Sequence, residues 1–350
     1  MSYTAIQPTD LVVSSDSITA PAWSSNIPTL STFFTASAGS ISSSFYVDVY
    51  NTASTLTNAA IQFSIAYGHA YGSGSMALNS LVPQNTPTRI TYGQYRNLIY
   101  ANPYSFFNFG TGCTASVDII ALPIDRNRYK ESLMPGTFNI TLSNGTSATT
   151  LNLTDNSNDV STITYLDCGR VFNIVSGSYG TSNGVGLATL APQAGYTVSG
   201  SYGLFLPDIG TIILNPRALA LPFANGGLGL SLYTSPSSIS NNASSSLNNL
   251  AVLSCIQSGS NFQLLSQETL SSDYIFVRIK NSEYNYSSNP SFVSGSGGLA
   301  FSNFINSPQT YITTVGLYNQ NSDLLAVAKL SQPLPKNFTS EALITVKLDW

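Results

Sequence analysis

Apolar side chains recur at every second position along this chain, and that period admits β-strands far more readily than helices. In "SFYVDVYN" (44–51) Phe45, Val47 and Val49 share one face while Tyr46, Asp48 and Tyr50 share the other. "IQFSIAY" repeats the pattern with Ile61, Phe63, Ile65 and Tyr67. In "FNITLSNGTSATTLNLTD" Phe138, Ile140 and Leu142 alternate with polar residues, and Leu151 and Leu153 alternate on the return. That predicts a hairpin turning from Asn144-Gly145, with room for a loop longer than two residues. A second hairpin is expected in "YITTVGLYNQNSDLLAVAKL", where 319–323 form a polar loop between two alternating runs. "EALITVKLDW" carries Ile344, Val346, Leu348 and Trp350 on one face of a further strand.

Helix signals are scarce. The best is "SSSLNNLAVLSCIQ", where a Ser cap precedes Leu247, Leu250 and Leu253, so one short helix is expected near 247–257. The expected class is all-β: two or three sandwich- or barrel-like domains with at most one or two short helices.

Charge divides the chain more sharply than turns do. Residues 1–88 contain no Lys or Arg, whereas Arg89 to Lys130 contain five of the twelve basic residues. The expected organisation is a low-charge β-rich docking region at 1–88, a β domain at 89–223, a Gly- and Ser-rich connector at 224–246 and a C-terminal β domain at 247–350.

Charged residues make up 8% of the chain, against roughly 25% for a typical soluble protein, and the net charge is only −4. Solubility ordinarily leans on net charge, so a polar, nearly uncharged surface of this kind belongs to a subunit that associates. The 17 Phe, 20 Tyr and 2 Trp argue against disorder. No run of 18 apolar residues exists, so no membrane-spanning helix is expected. "MSYTAIQPTDLVVSSDS" lacks the basic and apolar regions of a secretory signal, and synthesis in a cytoplasm without that export route is expected.

Candidate chemistry is sparse. His69 in "AYGHAYGSGS" has no acid near it in sequence, and "YGSGS" lacks the strand and helix that flank a nucleophile elbow. Asp155, Asp159 and Asp167 form the densest acidic group, which a glycosidase pair would require, but their stretch also reads as strand, turn and strand. Asp155, Ser157 and Asp159 start with calcium-loop spacing that Val160 breaks at the turn position. Cys113, Cys168 and Cys255 are too scattered for a disulfide framework or a metal cluster, and read as small buried hydrophobes. The Gly-rich segments lack the spacing of nucleotide-binding loops. No catalytic, metal or cofactor site is expected.

Two clusters stand out. Arg126, Arg128 and Lys130 lie between Asp125 and Glu131, leaving a local charge of +1, and no basic residue occurs from Ala218 to Val277. Nucleic-acid binding needs a broader basic face than this. The cluster instead reads as a strand edge or turn base whose cations block wrong pairing or reach a partner subunit. "NPYSFFNFG" packs Tyr104, Phe106, Phe107 and Phe109 together. Alternation would point Phe106 and Phe107 in opposite directions, so either both faces are buried in a sandwich, or one is core and the other meets a subunit.

Several stretches, "DRNRYKESLMPGTFNITLS", "DCGRVFNIVSGSYG", "YGLFLPDIGTIILNPRAL", "RIKNSEYNYSSNPSF" and "TYITTVGLYNQNSDLLAVAKLSQPLPKNFTSEALITVKLDW", resemble a family of virion structural proteins of tailed bacteriophages, especially contractile-tailed phages of marine and cyanobacterial hosts. The resemblance covers roughly residues 89–220 and 272–350 and implies a noncatalytic tail or baseplate component, located in the virion and partnered by other virion subunits. The alternatives are a carbohydrate-binding or carbohydrate-cleaving tail appendage that meets a host-surface glycan, and a head decoration or vertex protein.

Overall fold

A computed structural model describes residues 4–36, 45–75, 85–110, 115–145, 150–184, 202–232, 243–301 and 303–349, without the side chains of 243–246, 303 and 304. The elements begin with β1 (Leu11–Pro21), β2 (Thr29–Leu30), β3 (Phe34–Thr35), β4 (Val47–Tyr50), β5 (Ile61–His69), α1 (Pro87–Tyr100), β6 (Asp118–Pro123) and β7 (Ser132–Leu133). There follow β8 (Asn139–Ser143), β9 (Thr150–Asp155), β10 (Thr164–Leu166), β11 (Gly169–Ser178), β12 (Thr181–Ser182), β13 (Gly203–Leu206), β14 (Thr211–Leu214) and α2 (Pro216–Ala220). The chain continues through α3 (Ala243–Gly259), β15 (Asn261–Gln263), β16 (Leu265–Ile279), α4 (Asn303–Asn306), β17 (Gln309–Tyr318), β18 (Leu324–Asn337) and β19 (Ala342–Asp349). The architecture is all-β, as the period-two pattern predicts.

The chain forms two compact units. Residues 18–268 make the larger, and residues 1–17 together with 269–350 make the smaller. Residue 88 falls inside α1 within the larger unit, and most of the segment 224–246 lies outside the described residues.

The larger unit is organised by an antiparallel sheet in the order β2-β15-β8-β9-β11-β13-β14-β6-β5-β4-β3. The hairpin expected at 138–155 is present: Ile140 pairs with Leu153 and Leu142 with Leu151. The central strand β6 explains the unbroken apolar run "DIIALP". Its Ile120 and Leu122 enter one core, while Ile119 and Ala121 enter a second core on the opposite face, so neither face can be polar. The first core carries an aromatic cluster in which Phe262 meets Trp23 edge-on at 4.9 Å and Phe63 at 5.2 Å between ring centroids.

Two helices exceed the expectation of at most one or two short ones: α1, with 14 residues, is not among the expected elements, and α3, with 17, is longer than expected. α1 begins with Thr86 as N-cap, accepting from the Arg89 backbone N–H, and Pro87 in the first turn. It lays Tyr92 and Ile99 into the second core. At Gly68 of β5 an added Cβ would stand 2.9 Å from the Tyr92 backbone N, so glycine is what lets this helix approach. α3 covers the expected 247–257 and extends beyond it. Of its three leucines Leu253 is buried, Leu250 packs against the first core and Leu247 is exposed, and the helix also buries Asn248, Asn249, Val252, Cys255 and Ile256. Asn249 is paired there: its Oδ1 accepts from Tyr67 N at 2.8 Å and its Nδ2 donates to Phe45 O at 3.1 Å, satisfying backbone groups that an apolar side chain would leave bare.

The smaller unit contains the register Ser272↔Asp349 to Ile279↔Ala342 between β16 and β19. It also contains the expected C-terminal hairpin, β17 with β18, paired from Gln309↔Asn337 to Tyr318↔Leu324 with two irregularities. Of the buried apolar side chains among the described residues, only Ile275, Ile279, Phe292 and Val346 belong to this unit.

Candidate assembly surface

The aromatic knot divides by parity. α1 stops where Ala101 turns left-handed, and Asn102 Oδ1 then accepts from Tyr104 N at 2.9 Å, leading the chain into an extended segment. Phe107 and Phe109 point inward and are fully buried against Tyr92 and Tyr100. The Tyr92 hydroxyl fixes this geometry by donating to Ser116 O at 2.7 Å and accepting from Phe107 N at 3.2 Å. Tyr104 and Phe106 point outward. Tyr104 is 86% exposed, and Phe106 lies 6.4 Å from the exposed ring of Tyr71. The knot is therefore core on one face and an exposed aromatic patch on the other.

The basic cluster folds onto itself. Asp125 Oδ1 accepts from Asn127 N at 2.9 Å and caps a single 3₁₀ turn, Arg126–Arg128. The Arg126 guanidinium lies 4.6 Å over the Tyr129 ring and donates to the Tyr129 and Lys130 carbonyls. Lys130 Nζ sits 2.7 Å from Glu268 Oε2, an exposed pair worth roughly 0–1 kcal/mol, and Arg128 is half-buried. The cluster ties together the turn between β6 and β7.

His69 acquires an acid that sequence reading could not supply. It is paired across β5 and β6 with Asp118, and is itself buried. Its Nδ1 accepts from Tyr71 N at 3.1 Å and Ser73 N at 3.4 Å, so the neutral ring carries its proton on Nε2. Burial pulls the imidazole below its ordinary value, against the opposing pull of Asp118 and with help from Arg217. The carboxylate of Asp118 is held by Arg217 Nε at 3.1 Å and by the Ser116 hydroxyl at 3.3 Å, and Tyr67 Oη lies 3.4 Å away. Burial and this carboxylate push the Tyr67 phenol far above its ordinary value. These contacts give His69 a role as acceptor for a tight loop and Asp118 a role as counter-charge for α2.

The acidic group is also absorbed by backbone. Asp155 is fully buried and accepts from Gly136 N and Ser157 N, pinning the turn before β8. Burial raises its carboxyl above the usual range, although the backbone donors pull it down. Asp159 Oδ2 accepts from Ser182 N at 2.6 Å, and Asp167 is exposed. Among the described residues no three His, Cys, Asp or Glu side chains gather as metal ligands. Cys255 is buried and its thiol is pushed up to about 11 by burial, Cys168 is half-buried, and Cys113 lies outside the described residues. Among the described residues no helix is long and apolar enough to cross a membrane.

Sequence reading missed the smaller unit as a surface. Apart from Thr310 and Lys336, no residue of β17 or β18 is buried. Tyr311, Leu324, Leu325 and Val327 are more than half exposed, and Leu343 of β19 is 61% exposed. Most of β1 in this unit is exposed as well, including Leu11, Val12 and Val13. A two-stranded ribbon is marginal by itself. One face of this one, with Ile312, Val315 and Leu317, is only half-buried, and Tyr311, Leu325 and Val327 are held out in water.

Comparisons with protein-family models, with curated proteins and with solved structures return no match to this chain.

Proposed function

We propose that this chain is a noncatalytic structural subunit of a tailed bacteriophage virion, placed in the tail or baseplate, and that it assembles with other virion subunits through its smaller unit. The observation that carries the reading is the mismatch between strand length and burial. The ribbon and β19 present Tyr311, Leu325, Val327 and Leu343 to water, while the unit's own interior holds four buried apolar side chains among the described residues. A unit of this size needs a core to offset the entropy of ordering its chain, and a partner's surface supplies one. The low charge supports the same reading, because each ion taken out of water on docking costs several kcal/mol and few ions are present. The stretches that resemble virion proteins include the ribbon itself.

Light scattering on the purified chain at micromolar concentration, followed by incubation with tail particles lacking it, tests the assembly. Oligomers or incorporation into the particles are expected. A monomer that stays monomeric and never joins the particles overturns the proposal. Immunogold labelling of intact virions tests the placement: gold on tails supports it, and gold on heads overturns the tail assignment.

A further inference from the structure

We infer that the outer face of the β15-β8-β9-β11 sheet is a binding site for a neutral glycan. A groove of about 200 Å³ runs across these strands, and among the described residues none that lines it carries a charge. Strand register builds its floor: Asn261 pairs with Thr141, and Thr141 with Asn152, so three polar side chains form one row across the sheet. They are linked side by side. Asn261 Nδ2 donates to Thr141 Oγ1 at 3.2 Å, and Thr141 Oγ1 donates to Asn152 Oδ1 at 2.8 Å. This chain fixes the outward chemistry, leaving the Asn152 amide hydrogens as donors and Asn261 Oδ1 as an acceptor. Gln263, two residues along β15, adds a further amide.

At the end of the groove stands Tyr179, which is 61% exposed and left-handed at φ 51°, an uncommon conformation for a residue with a side chain. Its backbone is clamped from both sides: Asn139 Oδ1 accepts from Tyr179 N at 2.8 Å, and Asn158 Nδ2 donates to Tyr179 O at 2.7 Å. Tyr179 and Gly180, at φ 74°, form the two-residue turn between β11 and β12, where Ser178 pairs with Thr181 and a hairpin requires positive φ at both positions. The two amides hold that turn so that it presents a phenol ring to water beside a row of amides.

Amide donors and acceptors match the hydroxyls of a sugar, and the apolar face of a pyranose fits an aromatic ring. Phosphodiesters and acidic sugars are disfavoured, because the groove offers no cation to them. The volume lies below the roughly 300–1,000 Å³ of drug-sized pockets, which suits a single ring of a longer chain lying across the sheet.

The test is NMR titration of the full chain with maltoheptaose, cellohexaose and a galacto-oligosaccharide as neutral probes, and with polygalacturonate as the anionic one. Binding of at least one neutral probe with a dissociation constant of about 1 mM or tighter is expected, with shifts centred on Tyr179 and Asn152. Tyr179→Asn keeps a residue that tolerates the left-handed turn but removes the ring, and should weaken binding about tenfold. Asn152→Asp keeps the acceptor for Thr141 while replacing the amide donors, and should weaken it similarly, so the result does not depend on one variant folding. Failure of every neutral probe to bind, equal binding of polygalacturonate, or affinity unchanged in both variants each overturns the inference.

Discussion

Lys336 is completely buried, and its ammonium donates to Asn281 O at 3.0 Å, Asn285 Oδ1 at 2.9 Å and Asn337 O at 2.8 Å. Three oxygens use all three of its hydrogens, so one cation organises the 281–285 turn against the end of β18. Lys336→Met keeps the length of the stem and strands those acceptors; it should lower stability by about 3 kcal/mol, read as a shift in urea midpoint at constant slope. His69 gives a second prediction, with its sign set by burial. The folded-state pKa is lowered from 6.5, so below that value the unfolded chain binds the extra proton and stability falls as pH falls. His69→Asn preserves an acceptor for the Tyr71 and Ser73 N–H groups and cannot titrate. Thermal midpoints measured from pH 7.5 to about 5 should therefore decline less steeply in the variant than in the parent. Asp155, whose pKa is raised, acts in the opposite direction at lower pH, where its protonation favours the folded state, so the two contributions separate along the titration.

Elements were legible where one face is apolar and the other polar, as in the β8–β9 and β17–β18 hairpins, because strand period and turn chemistry agree there. α1 was not, since Thr88, Ile90, Thr91 and Gly93 are poor helix formers, and the one clear signal was the Thr86-Pro87 start. Tertiary packing against β5 and β6 overrides propensity. The helix at 243–259 was legible as a helix but not in its orientation, because the residues that face the core include two asparagines. Asn249→Leu should therefore destabilise rather than improve the core. It deprives Tyr67 N and Phe45 O of buried partners at a cost of about 2 kcal/mol, where a residue on the exposed side such as Leu247 tolerates Gln within about 0.5 kcal/mol. Denaturant midpoints of the two variants measured together check both statements. Of the sequence candidates, Arg126, Lys130 and Asp155 proved to be fasteners of turns: Arg126 closes on Tyr129 within its own turn, while Glu268 and Gly136 reach Lys130 and Asp155 only after the strands pair. The Tyr179 platform was invisible for the same reason: its clamps come from Asn139 and Asn158.

At the scale of the molecule, the two units divide the work unequally. The larger buries two apolar clusters on opposite faces of one sheet and is complete in itself. The smaller carries long strands on which several apolar residues, Leu324, Leu325, Val327 and Leu343 among them, remain in water, an arrangement that a monomer would be expected to suppress with charge. Leu325 and Val327 lie two apart on β18 and are both more than half exposed. Their role can be separated from folding because neither side chain supports the unit's own interior. Leu325→Asp combined with Val327→Asp should leave the unfolding free energy within about 0.5 kcal/mol per site, as for ordinary surface changes. The same pair should weaken association by at least about thirtyfold, roughly 2 kcal/mol, because two carboxylates would be desolvated at the centre of a contact. Sedimentation of the free chain and incorporation into tail particles give the two readouts. Lost incorporation with an unchanged unfolding curve makes the ribbon an interface; undiminished incorporation would require the contacts to be made elsewhere on the molecule.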